Sequence, residues 1–258
     1  MSFTYLNKEV LNSESIIESY SAQSTKYHFF ENLLTGKGYE KLVDGFPRLE
    51  QFEKHEGRQR SHGQRPHDRY FLGYQSSRYH PKDYRGNGIA QPKDLSNSWR
   101  AFLAEIESQD YMSFLEETLG TDEFTLQYAW HMGITGAEVS PHRDTLQKLS
   151  IHLFYFNPVG IWDTGWGGDF LILNGLKVAR ENPDFGDFTE VVPFQTQGNR
   201  SLFLKNGPEA WHGVQPLRCP DGQYRRLFTV YARAKLSKRK RLSLFARKTL
   251  ELVSPRKN

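Results

Sequence analysis

Between Phe124 and Ala234 the sequence never sustains a helical period. It breaks into short β-like runs, each closed by turn residues. The runs are residues 124–131 (FTLQYAWH), 148–157 (KLSIHLFYFN), 169–174 (DFLILN), 188–194 (FTEVVPF), 200–205 (RSLFLK), 211–214 (WHGV) and 225–234 (RRLFTVYARA). Asn157-Pro158, Gly165, Gly167-Gly168, Asn182-Pro183, Gly198-Asn199, Asn206-Gly207-Pro208 and Asp221-Gly222 punctuate them. Many short strands with such punctuation specify a sandwich or barrel. No helix-length segment lies between them, which argues against a doubly wound α/β sheet. The expected architecture is therefore mainly β with flanking helices.

Residues 1–123 read as a support region. The segment 27–46 (YHFFENLLTGKGYEKLVDGF) opens like an aromatic strand and continues with helical spacing. Residues 99–119 carry Trp99, Phe102, Leu103, Ile106, Tyr111, Phe114 and Leu115 at helical spacing, which predicts one or two helices on the outside of a sheet. Between them, residues 54–98 form a long polar excursion, and 54–85 alone hold eight Lys/Arg, three acids and four histidines. Such an excursion suits a lid or a solvated surface loop.

Charge divides the chain unevenly. Of 34 Lys and Arg, nine fall in residues 235–258, beside a single Glu, so the formal +4 conceals a mildly acidic body and a basic tail. Leu242, Phe245, Ala246, Thr249, Leu250 and Val253 in that tail have helical spacing. A basic amphipathic helix suits an anionic membrane or nucleic acid; the expectation here is a terminal helix docked on the barrel with a solvated basic face. The single cysteine, Cys219, permits no intrachain disulfide. A reducing, cytoplasmic setting is expected, with neither a membrane-spanning helix nor a secretory leader.

The sharpest chemical feature is Pro141-His142-Arg143-Asp144. In extended chain, residues two apart share a face, so His142 and Asp144 project together and Arg143 points away. An imidazole and a carboxylate side by side make two ligands for a divalent metal. His212, in the run 211–214, is the best candidate for a third. Two histidines and one carboxylate on one side of a metal form the facial triad of non-haem Fe(II) oxygenases, which leaves positions open for oxygen and a chelating co-substrate. His67-Asp68 would point to opposite faces, and His80 with Asp83 fits neither strand nor helix, Pro81 intervening. On the last run, alternation groups Arg225 with Leu227, Thr229 and Tyr231, and Arg226 with Phe228 and Val230. Only one of the two arginines can point inward.

Taken in order, PHRD, LFYFNP, GGDFLIL, SLFLKN, WHGVQP and RLFTVY resemble the iron- and 2-oxoglutarate-dependent dioxygenases, most closely the prolyl-4-hydroxylase-like branch. The resemblance covers 124–234, with a weaker likeness at 27–47. It implies a double-stranded β-helix (a cupin-like jelly roll) as catalytic core. His142 and Asp144 would lie near its second strand, His212 on the seventh and Arg225 on the eighth. It also implies Fe(II) held by His142, Asp144 and His212, with 2-oxoglutarate and O2 as co-substrates and ascorbate as a candidate reductant. Arg225 would bind the distal co-substrate carboxylate, with Arg226 as the alternative, because the spacing from His212 is longer than usual. Tyr155 would add a hydroxyl contact, and Tyr128 or Trp130 would line the same pocket. His152 reads as packing on the opposite face from Tyr155; His131 stays undecided.

The implied activity is hydroxylation of an unactivated C–H bond in a peptidyl proline, another protein side chain or a small metabolite, with decarboxylation of 2-oxoglutarate to succinate. Halogenating relatives replace the carboxylate ligand with a small residue, and Asp144 is present. The alternatives are a catalytically inactive jelly-roll binding module that uses its basic tail for membrane or nucleic-acid contact, and a cupin-type isomerase, which gathers more histidines.

Overall fold

The computed structural model describes residues 4–12, 25–58, 64–66, 68–81 and 83–235. Apart from Lys235, the expected C-terminal helix lies outside the described residues, as does His67. In chain order the elements are α1 (Lys8–Leu11), β1 (Tyr27–Glu31), α2 (Gly36–Asp44), β2 (Glu53–His55), β3 (Arg69–Tyr74), β4 (Ile89–Ala90), α3 (Asn97–Ile106), α4 (Gln109–Leu119), β5 (Phe124–Gly133), β6 (Val139–His142), β7 (Lys148–Tyr155), β8 (Phe170–Leu176), β9 (Phe188–Phe194), β10 (Arg200–Lys205), β11 (Trp211–Val214) and β12 (Arg225–Ala234).

Two sheets face each other. The major sheet runs β1-β10-β7-β12-β5-β3-β2, with β4 beside β3, and the minor sheet runs β6-β11-β8-β9. From β5 onward the chain passes back and forth between them, β5, β7, β10 and β12 on one side and β6, β8, β9 and β11 on the other. This is the expected double-stranded β-helix. The support region is continuous with it, because β1 pairs with β10 and β3 pairs with β5. Within the 54–98 excursion, expected as a lid or surface loop, Ile89–Ala90 forms β4 and Arg69–Tyr74 forms β3. That short run is a strand because β5 offers it a free edge. No helix among the described residues is long and apolar enough to cross a membrane.

Alternation sorts the side chains into two cores. Ile151, Leu153, Tyr155, Phe170, Ile172, Leu202, Leu204 and Leu227 fill the space between the sheets. Phe154, Phe203, Phe228, Val230 and Trp130 point the other way, into the helices. Capping places those helices: the Thr35 hydroxyl accepts from Gly38 N at the start of α2, and the Ser96 hydroxyl accepts from Trp99 N at the start of α3. Residues 99–119 form two helices, and α4 ends where Gly120 takes a left-handed φ of 72°. Trp99, fully buried, donates its indole N–H to Leu42 O at 3.1 Å and packs edge-on to Trp130 and Phe228. The Glu105 carboxylate of α3 accepts from the backbone amides of Thr4, Tyr5 and Leu6, which fastens the N-terminal segment.

His152 sits on the helix side as expected. It stacks with Phe30 and Phe154 and hydrogen-bonds to Tyr111 Oη at 2.8 Å and Ser201 Oγ at 3.3 Å. Burial, helped by His28, pushes its imidazole down to about 3 from 6.5. The folded state therefore favours the neutral ring, so stability is full above pH 6.5 and falls as pH drops towards 3. We expect this residue to cost about 2 kcal/mol between pH 6.5 and 5, at about 1.4 kcal/mol per unit. Urea unfolding across that range checks it: His152→Gln flattens the slope by that amount, and an unchanged slope would refute the assignment.

Candidate metal centre

Strands β6 and β11 are neighbours, and His142 lies directly opposite His212 in their register. β6 ends at His142, and Asp144 follows in the loop before β7. His142, Asp144 and His212 each offer a ligand atom, and these atoms all lie within 4.8 Å of one another. His212 Nε2 is 3.9 Å from Asp144 Oδ2, and the two imidazole centroids are 4.3 Å apart. Donors at that spacing can share one ion with small side-chain rotations, since metal–ligand bonds to such atoms run about 2.0–2.2 Å. Arg143 points away, as expected: it donates to Pro208 O at 2.9 Å and lies over the Trp211 ring.

Hydrogen bonds orient the ligands. His142 Nδ1 contacts Ser140 O at 3.0 Å and His212 Nδ1 contacts Ala210 O at 2.9 Å. A carbonyl only accepts, so both Nδ1 atoms carry the proton and each Nε2 presents a lone pair to the cluster. Lys148, at the start of β7, donates to Asp144 Oδ1 at 2.5 Å. Burial alone would raise the Asp144 carboxyl, but the Lys148 ammonium outweighs it and holds it below the usual carboxylate range. The Asp144 loop is also tied down by Asn206, whose Nδ2 donates to Thr145 O at 3.0 Å and Lys148 O at 2.8 Å. Lys148 and Asn206 escaped the sequence reading, since their partners become neighbours only through the fold. A lysine four residues after Asp144 was the one local signal.

Arg225 heads β12 and is buried, 7% exposed. Its guanidinium lies over the Tyr155 ring, 5.3 Å from the centroid. Arg225 Nε and Nη2 and the Tyr155 hydroxyl are buried without a hydrogen-bond partner. Burial pushes the Tyr155 phenol up to about 12, against the pull of Arg225, and lowers the Arg225 guanidinium against Tyr155 and Asp169. Arg226 takes the other face, over the Phe46 ring. Asn157 fixes the start of the strand: its side chain accepts from Arg226 N at 2.8 Å and donates to Tyr224 O at 2.7 Å. A buried cation with idle donors beside an idle hydroxyl suits the carboxylate of an anionic ligand. The residues present therefore fit both groups implied by the sequence, a divalent metal and a dicarboxylate.

The expectation that Tyr128 or Trp130 lines this pocket is corrected by the register of β5. Tyr128 pairs with Val230 and Trp130 with Phe228, which places both on the helix face. The Tyr128 hydroxyl donates to Glu107 Oε1 at 2.9 Å. His131, opposite Leu227, faces inward and hydrogen-bonds to the Tyr231 hydroxyl at 3.1 Å.

The Gly167-Gly168 turn does more than enter β8. Gly168 has a φ of 77°, and a Cβ there would lie 3.0 Å from Arg225 Cδ and 3.1 Å from Leu217 Cδ1. The missing side chain is what lets the backbone pass against the arginine. Gly168→Ala should cost about 1–3 kcal/mol, from the positive φ and the crowding together. A shift of the urea midpoint measures it, and a midpoint unchanged from wild type would contradict the close approach.

No family model matches the chain, and no curated protein matches it in sequence. Solved structures match in fold. A Pseudomonas putida prolyl-4-hydroxylase aligns with a TM-score of 0.58 at 12% identity, over 85% of this chain and 97% of that one. A Trichoplax adhaerens prolyl hydroxylase, solved with a hypoxia-inducible-factor peptide fragment, gives 0.56 at 14% identity over 92% and 93%. HygX from Streptomyces hygroscopicus, solved with nickel, 2-oxoglutarate and hygromycin B, gives 0.56 at 11% identity over 87% and 88%. In fold, this chain is a double-stranded β-helix of the kind built by the prolyl-4-hydroxylase-like oxygenases.

Proposed function

We propose that the chain is an Fe(II)- and 2-oxoglutarate-dependent dioxygenase that hydroxylates a C–H bond of a peptidyl or small-molecule substrate. The observation that carries this reading is the pairing of two unfinished sites in one barrel. His142, Asp144 and His212 converge on a single point, and Arg225 and Tyr155 hold unpaired donors inside the same jelly roll.

His142, Asp144 and His212 would hold the iron through their two Nε2 atoms and a carboxylate oxygen, a ligand set too small to fill its coordination on its own. Arg225 binds the distal carboxylate of 2-oxoglutarate, and Tyr155 donates its hydroxyl to the same group. This anchors one end of the co-substrate and aims its keto-acid end towards the triad. Bound Fe(II) supplies the O2 chemistry, which sends one oxygen atom into succinate, as carbon dioxide leaves, and the other into the substrate C–H bond. Lys148 keeps Asp144 ionised and fixes one of its oxygens, so that the other faces the histidines. The apolar side chains around Tyr155, Phe170 and Leu227 exclude water from the co-substrate. The solved relatives crystallised with a peptide fragment and with hygromycin B are consistent with either kind of substrate.

Succinate released from 2-oxoglutarate under air, with Fe(II) and ascorbate, tests the proposal. Wild type is expected to turn over slowly without substrate, and His142→Ala and Asp144→Ala to fall to background. Arg225→Gln should raise the KM for 2-oxoglutarate by at least about tenfold, in line with the 2–5 kcal/mol typical of truncating one side of a buried charged contact, while metal binding stays intact. Equal succinate release by wild type and His142→Ala would defeat the enzyme reading and leave the non-catalytic binding module.

A further inference from the structure

The inner face of the major sheet does not stop at the barrel. Across β12, β5, β3 and β2 the register aligns Leu227 with His131, His131 with Phe71 and Phe71 with Glu53; Arg69, on the same face of β3, aligns with His55. The barrel wall thus continues into the polar excursion. This extension adjoins the metal centre. Asp144 binds Lys148, the Lys148 ammonium lies 5.0 Å from the Tyr231 ring centroid, and the Tyr231 hydroxyl meets His131. The charges of Arg69 and Asp144 both bear on the Tyr231 hydroxyl. The excursion also reaches the segments that lead into the opposite sheet, since Arg65 donates to Glu138, just before β6, at 2.6 Å and to Asp184, between β8 and β9, at 2.5 Å.

Among the described residues, this wall carries more cations than ion pairs neutralise. Tyr79 stands edge-on to Phe71 and His55, with the guanidinium carbons of Arg58 and Arg78 over its ring at 4.5 and 5.0 Å. Its hydroxyl accepts from Arg69 Nη2 at 2.6 Å, which holds the Arg69 fork in place while Arg69 Nε stays buried with no partner. Glu53 is engaged by His55, His80 and Arg58, Asp144 by Lys148, and Asp68 accepts from the backbone amide of Gly57. Arg69, Arg78 and Arg233 have no ion pair among the described residues, and the charges of Arg78 and Arg233 both reach Lys148. A pre-positioned guanidinium with an idle buried N–H, backed by further uncompensated arginines, is chemistry for an oxyanion.

We infer that this wall binds an oxyanion carried by the substrate, a phosphate or a carboxylate, with Arg69 as the direct contact and Arg78 beside it. The inference rests on the oxygenase reading for calling the ligand a substrate, and it narrows the substrate class to anionic molecules or acidic or phosphorylated peptides. The anion sits on the excursion, on the far side of Tyr231 from the triad, so the reacting C–H bond and the anionic group are separate parts of one ligand.

The full chain, labelled with nitrogen-15, is titrated with inorganic phosphate and, separately, with acetate at constant ionic strength, while the Arg69 Nε–H resonance is followed by NMR. Both series are run without metal and again with diamagnetic Zn(II) and 2-oxoglutarate under nitrogen. A saturable downfield shift is expected with one anion or both, and the stronger of the two tells a phosphorylated from a carboxylate-bearing substrate. Anion affinity, followed by the neighbouring backbone amides, should fall at least about tenfold in Arg69→Gln. Should that variant fold poorly, Arg78→Gln is expected to weaken binding a few-fold with the Arg69 signal retained. Shifts no larger than those from equal chloride, or equal affinities in wild type and both variants, would overturn the inference. Succinate release by wild type is measured alongside. Turnover without oxyanion binding sinks this inference alone, and oxyanion binding without turnover sinks the oxygenase reading alone.

Discussion

Strand β12 is buried on both faces, and the two faces serve opposite needs. Phe228 and Val230 complete an aromatic core against the helices, while Arg225, Leu227, Thr229 and Tyr231 face the interior between the sheets. A pleated strand turns successive side chains to opposite sides, so a slip of one residue would bury Arg226 in the barrel and swing Arg225 among the helices. Register is therefore the constraint on which the candidate site depends. Three devices hold it: pairing with β5 along the whole strand, pairing with β7 on the other side, and the Asn157 side chain that grips Arg226 N where the strand begins. Trp99 adds a fourth from outside, wedging Phe228 against the helix layer.

The metal cluster is built on a different principle. His142 and His212 are locked by strand pairing, but Asp144 stands two residues beyond the end of β6, where a carboxylate would swing freely. The fold restrains it with side chains rather than backbone: Lys148 holds one oxygen, and Asn206 ties the loop at three carbonyls. This is the support that a ligand set needs if its donors are to meet an ion without first being ordered. The two histidines receive the same treatment from carbonyls two residues upstream of each.

Much of this was legible in the chain, for identifiable reasons. His142 and Asp144 declared themselves through their spacing, and Arg225 and Arg226 separated because β12 mixes polar and apolar residues in a readable alternation. The stretch Tyr128 to Met132 gives no such signal: every residue in it is buried, so hydrophobicity cannot say which side faces the helices, and only the register puts Tyr128 there. β3 was hidden for another reason. Its apolar run is short and set in a basic, proline-punctuated stretch, and it becomes a strand only because β5 stands beside it. Lys148 and Asn206 are invisible for a third reason. Their work lies in hydrogen bonds that close only when β7, β10 and the Asp144 loop come together.

Charge inside the barrel is balanced unevenly, and that imbalance has direction. Asp144 has Lys148 against it, so the anionic end of the site is nearly neutral before any metal arrives. Arg225 has only the half-buried Asp169 and a phenol within reach, and two of its nitrogens satisfy nothing. A buried cation left in that state is a standing cost to the fold. The chain even gives up a side chain at Gly168 to bring its backbone against the arginine. Such costs persist where a ligand removes them, because a group that binds only the folded state returns its binding energy as stability. A carboxylate lodged between Arg225 and the Tyr155 hydroxyl would neutralise the one and satisfy the other together. A neutral molecule of the same size would fill the space and leave the guanidinium charge unopposed. Arg225 and Tyr155 would thus favour an anionic ligand by the penalty they carry without one.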